Sequence, residues 1–218
     1  MTRLLAVLFC IAGLSSCSSK KNEKLAFVGP QQIINGDTLF HIVPKFTLIN
    51  QNKDSISNSD LAGKVYVADF FFTTCPSICP IMTNNLVKVQ RAFKGIENFA
   101  LVSHTVNPDF DREDVLKEYA AKMHADTTNW HFLTGTKEAI YNTAFHGYFA
   151  NAGEDELAPG GFLHSEYFIL VDGLGRVRSG YDKQGNVKGV YDGTKDQDIL
   201  QLVNDIKRLL KENKEDGQ

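Results

Sequence analysis

The stretch of residues 65–82 constrains the fold of this chain more than any other part of the sequence. Residues 65–72 are almost continuously apolar and rich in β-branched and aromatic side chains, which is typical of a strand buried on both faces under covering helices. A turn follows, in which Cys75 and Cys79 are each succeeded by a proline. The sequence therefore predicts a central strand that delivers two thiols to one end of a sheet, just before a helix.

Length and charge limit the class of protein. The chain has 218 residues, of which 43% are hydrophobic, so it can bury one sizeable core. Its formal net charge is −3, and its lysines are scattered rather than gathered into a basic stripe. We therefore expect one domain with tails, and no nucleic-acid partner.

The first residues have the pattern of an export signal. Arg3 precedes a short apolar run over residues 4–14, too short to span a bilayer, and small residues lead to Cys17. The segment 14–17 resembles the lipobox of bacterial lipoproteins, which implies that the signal is removed and that Cys17 is acylated. The alternative is an ordinary signal peptide that contains a cysteine. The lipoprotein interpretation predicts a bacterial membrane-anchored protein that faces the periplasm or another extracytoplasmic space.

This interpretation leaves two cysteines in the mature domain. Cys10 would leave with the signal and Cys17 would carry lipid, so Cys75 and Cys79 remain. Outside the cytoplasm a nearby dithiol oxidises unless a metal or a reductant keeps it occupied. The function therefore depends on what these two sulfur atoms hold.

Strand and helix patterns alternate after residue 64, and with the cysteine pair between a strand and a helix they predict an α/β, thioredoxin-like fold. The predicted strands are 42–49 at an edge, 65–72, 99–106, 130–133, 165–171 and 176–181, and a hairpin turn is predicted at 35–37. The predicted helices are 80–93, 136–149 and 196–211, and a further helix begins at Asp111 or Arg112 with Asp114 as a capping residue. A long polar loop is predicted at 151–161. The predicted domains are a signal peptide (1–17), a tether and N-terminal extension (18–40), the thioredoxin-like domain (41–212) and a charged tail (213–218).

The spacing of the two thiols favours a metal at least as much as a disulfide. Pro80 predicts that the helix begins near that residue, because proline is tolerated in a first helical turn. Cys75 and Cys79 would then lie near the free amides of a helix N-terminus, which favours thiolate. Three residues separate them, one more than in redox enzymes of the thioredoxin type, and soft thiolates suit copper(I). A structural disulfide is the remaining alternative.

Two thiolates seldom complete a metal site, so a third donor is needed, and histidine is the obvious source. The six histidines are His41, His104, His124, His131, His146 and His164. His164 stands just before the strand predicted at 165–171, whose entry, in thioredoxin topology, lies against the dithiol loop. His104, on a neighbouring predicted strand, is a second candidate. Position alone leaves the choice open, since most lone histidines are not ligands.

The chain resembles the Sco/SenC family. The residues that carry the resemblance are Val67, Ala68, Asp69, Phe70, Phe72, Thr73, Cys75, Pro76, Cys79, Pro80 and Met82, followed by Pro108, Asp111, the segment 130–135, His164, Phe168, Leu170, Val171, Asp172, Gly175 and Arg176. The resemblance covers the chain from about residue 44 onward. It implies a membrane-anchored copper protein that binds Cu(I) or Cu(II) through Cys75, Cys79 and His164. It also implies a role in assembling the binuclear copper centre of cytochrome c oxidase subunit II, or a similar role toward another copper protein.

Some residues near the motif allow alternatives. Asn107 stands where the family often has Asp, and we expect this change to affect the tuning of partner or ligand rather than binding itself. We expect Asp69 to form a hydrogen bond within the scaffold and Met82 to lie in the core, although each could tune the site. The alternative function is an extracytoplasmic thiol-disulfide oxidoreductase that uses Cys75 and Cys79 as a redox dithiol, either to reduce the cysteine pair of a partner or in redox signalling. A thiol peroxidase is disfavoured, because the proline expected upstream of its cysteine is missing.

Overall fold

The computed structural model of this chain describes residues 24–216, so the predicted signal peptide and the lipobox Cys17 lie outside the described residues. The strands are β1 (Ala26–Phe27), β2 (Gln31–Ile34), β3 (Asp37–Phe40), β4 (Thr47–Asn50), β5 (Ser55–Ser57), β6 (Val65–Phe71), β7 (Phe99–Thr105), β8 (Trp130–Thr134), β9 (Ala152–Glu154), β10 (Phe162–His164), β11 (Tyr167–Val171), β12 (Val177–Ser179) and β13 (Tyr191–Asp192). The helices are α1 (Asn58–Leu61), α2 (Cys79–Ala92), α3 (Glu113–Lys122), α4 (Lys137–Asn142) and α5 (Asp196–Asp216). A π-helical turn (Thr143–Gly147) extends α4, and a 3₁₀ turn (Pro159–Gly161) precedes β10.

The main sheet confirms the predicted α/β architecture. Its order is β1-β12-β11-β6-β7-β8-β4-β5, and β13 pairs with β11. The inner strands β6, β7 and β8 are parallel, whereas β11 is antiparallel to β6. Every residue of β6 and β7 is buried, as their continuous apolar sequences predict.

This topology brings three chain segments to one edge of the sheet. The carboxyl ends of β6 and β7 meet there because the two strands are parallel. The start of β11 lies at the same edge, since β11 runs antiparallel to β6 with Ile169 opposite Ala68. The segments that follow β6 and precede β11 therefore approach each other, which places Cys75 and His164 at the same end of the fold.

The N-terminal part of the domain differs from the prediction in one respect. The hairpin is confirmed, with Asn35 and Gly36 in the turn between β2 and β3 and both at positive φ, as a tight hairpin requires. The strand predicted at 42–49 is β4, but it lies between β8 and β5 and is not the edge. The edge is β5, whose three residues are too few for a pattern to reveal it.

The predicted polar loop at 151–161 contains ordered structure. β9 and β10 pair as a separate hairpin, with Ala152 opposite His164 and Glu154 opposite Phe162. His164 is therefore the last residue of β10. The sequence predicts that His164 directly precedes the next strand, but two residues separate it from β11.

Two helix ends also differ from the prediction. Asp114 makes no capping hydrogen bond: α3 begins after Arg112, whose guanidinium lies 3.6 Å from the Asp114 carboxylate. Helix α5 continues to Asp216, beyond the predicted end at 211. One reason is that Glu212 accepts hydrogen bonds from the Leu25 amide and from the buried Arg178, at 3.1 and 2.8 Å. None of the described helices has the length and apolar character needed to cross a membrane.

Candidate metal centre

The loop after β6 is held in place by the carboxylate of Asp111. This buried group accepts a hydrogen bond from the backbone N–H of Thr73 at 3.0 Å and another from the Thr73 hydroxyl. The hydroxyl of Thr105, at the end of β7, donates to the same carboxylate. The backbone N–H of Cys75 then donates to the carbonyl of Phe72 at 3.2 Å, which turns the chain toward α2.

Helix α2 supplies the second thiol. Cys79 is its first residue and Pro80 follows within the first turn, as the sequence predicted. Met82, Leu86 and Val89 lie on the buried face of the helix and anchor it to the sheet, which confirms the prediction that Met82 is a core residue. Only 1% of Cys79 and 8% of Cys75 is exposed, so Cys75 is the more accessible of the two thiols.

The hairpin of β9 and β10 carries His164 over the cysteine loop. The ring of Phe72 contacts both Phe162 and His164, with centroid distances of 5.3 and 5.7 Å. Gly160 also sits against Phe72: a Cβ at this position would lie 2.8 Å from the ring and 3.2 Å from Pro76. The hairpin therefore packs directly on the segment that leads to the thiols.

The three predicted ligands come together. Nε2 of His164 lies 3.2 Å from the Sγ of Cys79 and 3.9 Å from the Sγ of Cys75. The three donor atoms lie within 4.8 Å of one another, and within the described residues they are the one group of three or more His, Cys, Asp or Glu residues with this property. Nδ1 of His164 lies 3.1 Å from the carbonyl of Ser165. A carbonyl can only accept, so Nδ1 carries a proton and the Nε2 lone pair faces the sulfur atoms when the ring is neutral.

The spacing of these atoms suits a metal ion with three ligands. Bonds of about 2.2 Å from sulfur and nitrogen, in trigonal geometry, place the donor atoms about 3.8 Å apart. The observed distances of 3.2 and 3.9 Å from Nε2 to the two sulfur atoms bracket this value. The donor set is soft, and two thiolates with one imidazole favour copper(I) over hard ions such as magnesium or calcium.

The chain matches the sequence model described as SCO1/SenC over residues 36–198, which is most of its length and includes all three donors. The chain belongs to the SCO1/SenC family. It is 35% identical over 165 residues to a SCO1 protein homolog of Bacillus subtilis, covering 72% of this chain and 81% of the relative.

Solved Sco structures have the same thioredoxin-like fold. A SCO1/SenC family lipoprotein from Bacillus anthracis superposes with a TM-score of 0.67 and 32% identity, covering 77% of this chain and 94% of the other. BsSco, a member of the Sco family of cytochrome c oxidase assembly proteins in which a disulfide switch was identified, gives a TM-score of 0.66 and 29% identity, with coverages of 78% and 94%. The copper-bound ScoI of Bradyrhizobium japonicum has the same fold at 22% identity, a TM-score of 0.60 and coverages of 78% and 100%.

The two thiols of this Sco-family chain differ in acidity. The pKa of Cys75 is lowered, chiefly because the neighbouring Cys79 thiol stabilises its thiolate, and backbone N–H groups of Ser77 and Cys79 add to this effect. The pKa of Cys79 is raised, because Cys79 retains the proton that it donates and because it is buried. A metal ion that binds both sulfur atoms must therefore displace the proton of Cys79.

A buried polar pair lies beneath the site. Asp69 accepts a hydrogen bond of 2.5 Å from Ser103, whose hydroxyl in turn accepts 2.9 Å from the indole N–H of Trp130, so the prediction of a scaffold hydrogen bond for Asp69 is confirmed. Burial raises the pKa of Asp69 to about 7.

His104, the second histidine candidate, is fully buried and stacks on Phe70 at 5.0 Å, so it belongs to the core and not to the donor group.

The remaining histidines lie away from the donor group. His41 contacts the carbonyl of Gly147, and His131 contacts the side chain of Asn50. Two supports of the site are not predicted by the sequence, the contact of Gly160 with Phe72 and the ion pairs of Lys137. The Pro-Gly-Gly sequence at 159–161 is a signal that could have indicated a tight turn against another segment, whereas nothing local marks Lys137.

Proposed function

We propose that this chain binds copper through Cys75, Cys79 and His164 and passes it to the binuclear copper centre of cytochrome c oxidase subunit II, or to a similar copper protein. The observation that carries the proposal is the convergence of two Sγ atoms and the His164 Nε2 within 4.8 Å. Two soft thiolates and one imidazole hold copper(I) strongly, and they leave one side open to ligands from a partner. Copper is then the cargo of the protein and moves by exchange of thiolate and imidazole ligands.

The surroundings of the donors support transfer as well as binding. Cys75 is less deeply buried than Cys79, and His164 is half-buried at the end of a short hairpin, so a partner ligand can approach the metal from that side. Cys79 is buried within the first turn of α2 and would be the last ligand to leave. The fold and the family are shared with a copper-bound ScoI and with an oxidase assembly protein, which is consistent with this assignment.

Copper titration of the reduced domain tests the proposal. We expect the wild type to bind one Cu(I) and the His164→Ala variant to bind it at least about tenfold more weakly, since a direct ligand is lost. His146→Ala is the matched control, because His146 is an exposed histidine outside the donor group. Equal and weak binding by the wild type and both variants would exclude the copper function.

The second candidate function is reduction of a disulfide in a partner protein, and the different acidity of the two thiols favours it. The Cys75 thiolate would attack one sulfur of the partner disulfide and release the other as a thiol after protonation. Cys79, once deprotonated, would then attack the mixed disulfide, leaving a Cys75–Cys79 disulfide and a reduced partner. If copper binding is weak while the protein reduces disulfides at an appreciable rate, this function replaces the first.

We further propose that Cys17 carries lipid and that the domain is held on the outer face of a bacterial membrane. The lipobox-like sequence before Cys17 supports this anchor, and a family member from Bacillus anthracis is a lipoprotein. Cys17→Ser is expected to release the protein from the membrane fraction of expressing cells. Unchanged membrane retention of this variant would exclude a lipid anchor at Cys17.

A further inference from the structure

Lys137 joins the loop after β7 to strand β9, two segments that lead to the proposed copper site. Its ammonium group, on the first residue of α4, lies 2.6 Å from the carboxylate of Asp109 and 2.6 Å from that of Glu154. The Lys137 side chain is 35% exposed, and the two carboxylates are 74% and 58% exposed. The pKa of Lys137 is raised, chiefly by its hydrogen bonds with Asp109 and Glu154, so the group remains charged at neutral pH.

Each carboxylate belongs to a segment that holds one half of the donor set. Asp109 lies in the loop after β7, two residues before Asp111, whose carboxylate fixes Thr73 at the base of the cysteine loop. Glu154 lies on β9, which pairs with the strand that ends at His164. Lys137 therefore connects the segment that positions the thiols with the hairpin that positions the imidazole.

The hairpin depends on side-chain contacts for its position. Within residues 24–216, β9 and β10 form a two-stranded sheet of their own and are not hydrogen-bonded to the main sheet as strands. Such a hairpin has little stability by itself. It is held by packing against Phe72 on one side and by the ion pair of Glu154 with Lys137 on the other.

We propose that Lys137 is a positioning residue for His164, which it holds within bonding distance of the two thiols through Glu154 and β9. The proposal rests on the copper function proposed above. Lys137 does not touch the metal, and its effect on affinity passes through the imidazole. An ion pair between exposed groups is weak and sensitive to salt, so the contribution of His164 should also depend on ionic strength.

Copper affinity tests this role. We expect Lys137→Met to lower Cu(I) affinity about three- to fivefold at low salt, the order that exposed ion pairs can supply, and Lys137→Arg to restore it. The decisive comparison is made in a His164→Ala background, where Lys137→Met should have no further effect. Lys88→Met is the matched control, since Lys88 is also a helical lysine in an exposed ion pair, 3.4 Å from Asp196, and its partner lies in neither the loop after β7 nor the hairpin of β9 and β10.

Several outcomes would overturn the proposal. An unchanged affinity in Lys137→Met at low salt is one, and an equal loss of affinity in the wild-type and His164→Ala backgrounds is another. A loss that persists undiminished at 0.5 M salt, well above the concentration at which such pairs are screened, is a third.

A measurement on the metal-free protein separates this proposal from the copper function. Backbone amides of β9 and β10 should exchange with solvent faster in Lys137→Met than in the wild type, while those of β6 and β7 remain unchanged. If copper binding fails altogether but this exchange is faster, the function is wrong and Lys137 still positions the hairpin. If exchange is unchanged, Lys137 does not position the hairpin, whatever the metal result.

Discussion

Asp111 and Thr73 are joined by two hydrogen bonds, one from the Thr73 backbone N–H at 3.0 Å and one from its hydroxyl. Thr105 donates a third hydrogen bond to the same carboxylate. All three donors are thus satisfied by one buried side chain. The carboxylate ties the loop after β7 to the start of the cysteine loop, so the position of the thiols depends on a residue that never contacts them.

Removal of this acceptor should destabilise the domain. We expect Asp111→Ala to lower the free energy of unfolding by about 2–4 kcal/mol, because it leaves buried hydrogen-bond donors without an acceptor. Asp111→Asn should lower it by only about 1 kcal/mol, because the amide oxygen of Asn still accepts hydrogen bonds. Guanidinium denaturation of the reduced, metal-free protein at pH 7 measures both values. A loss below about 1 kcal/mol in Asp111→Ala would contradict this account of the loop.

Gly160 provides a test of the contact between the hairpin and Phe72. Gly160 and Gly161 both have positive φ, 81° and 84°, so alanine is strained at either position. At Gly160 the added Cβ would also lie 2.8 Å from the Phe72 ring, whereas nothing lies within 4 Å of the corresponding position at Gly161. The difference between the two variants therefore isolates the contact with Phe72.

We expect Gly160→Ala to lower the free energy of unfolding by about 1–3 kcal/mol more than Gly161→Ala does, because the hairpin must shift. Copper affinity should fall about tenfold or more in Gly160→Ala, the range found for groups that orient metal ligands. Denaturation and copper competition measure the two effects. Equal values for the two alanine variants would mean that the contact with Phe72 has no role in holding His164.

The sequence was most informative where a single periodic pattern determines the structure. The strand predicted at 65–72 and the helix predicted at 80–93 each differ from β6 and α2 by one residue at the ends, because both have long apolar patterns. The start of α2 at Cys79 follows from Pro80, because proline is tolerated in the first turn of a helix. The proximity of His164 to the two thiols was predictable from strand order and from the family resemblance, and not from its neighbours in sequence.

Features that depend on contacts between distant segments were not predictable. The strands β9 and β10 have three residues each, and glycine and charged residues interrupt their pattern, so the sequence predicts a polar loop there. The two ion pairs of Lys137 join residues that lie 28 and 17 positions away in the sequence. An ion pair at that separation becomes visible only when the fold has brought its members together.

Asp69 should make stability depend on pH. Burial raises its pKa to about 7 in the folded state, against about 3.9 in an unfolded chain, so the folded protein binds a proton more tightly. Stability from this group is therefore full below about pH 4 and is lost as the pH rises to about 7, at about 1.4 kcal/mol per pH unit. We expect Asp69→Asn to be more stable than the wild type at pH 8, as measured by denaturation without metal. If Asp69→Asn is less stable than the wild type at pH 8, interactions within the folded protein stabilise the charged carboxylate of Asp69, and the prediction is wrong.

His104 should produce the opposite slope. Burial lowers its pKa to about 4, whereas an unfolded histidine has a pKa near 6.5, so the unfolded chain binds the extra proton between these values. Stability from this group is present above about pH 6.5 and is lost as the pH falls to about 4, which roughly cancels the slope from Asp69 in the wild type. The Asp69→Asn variant should therefore lose stability on acidification over this range. His104→Gln keeps a donor for the backbone carbonyl of residue 69, which lies 3.4 Å from Nδ1 of His104. Adding this substitution to Asp69→Asn should flatten the dependence of stability on pH. A slope that survives the second substitution would exclude His104 as its source.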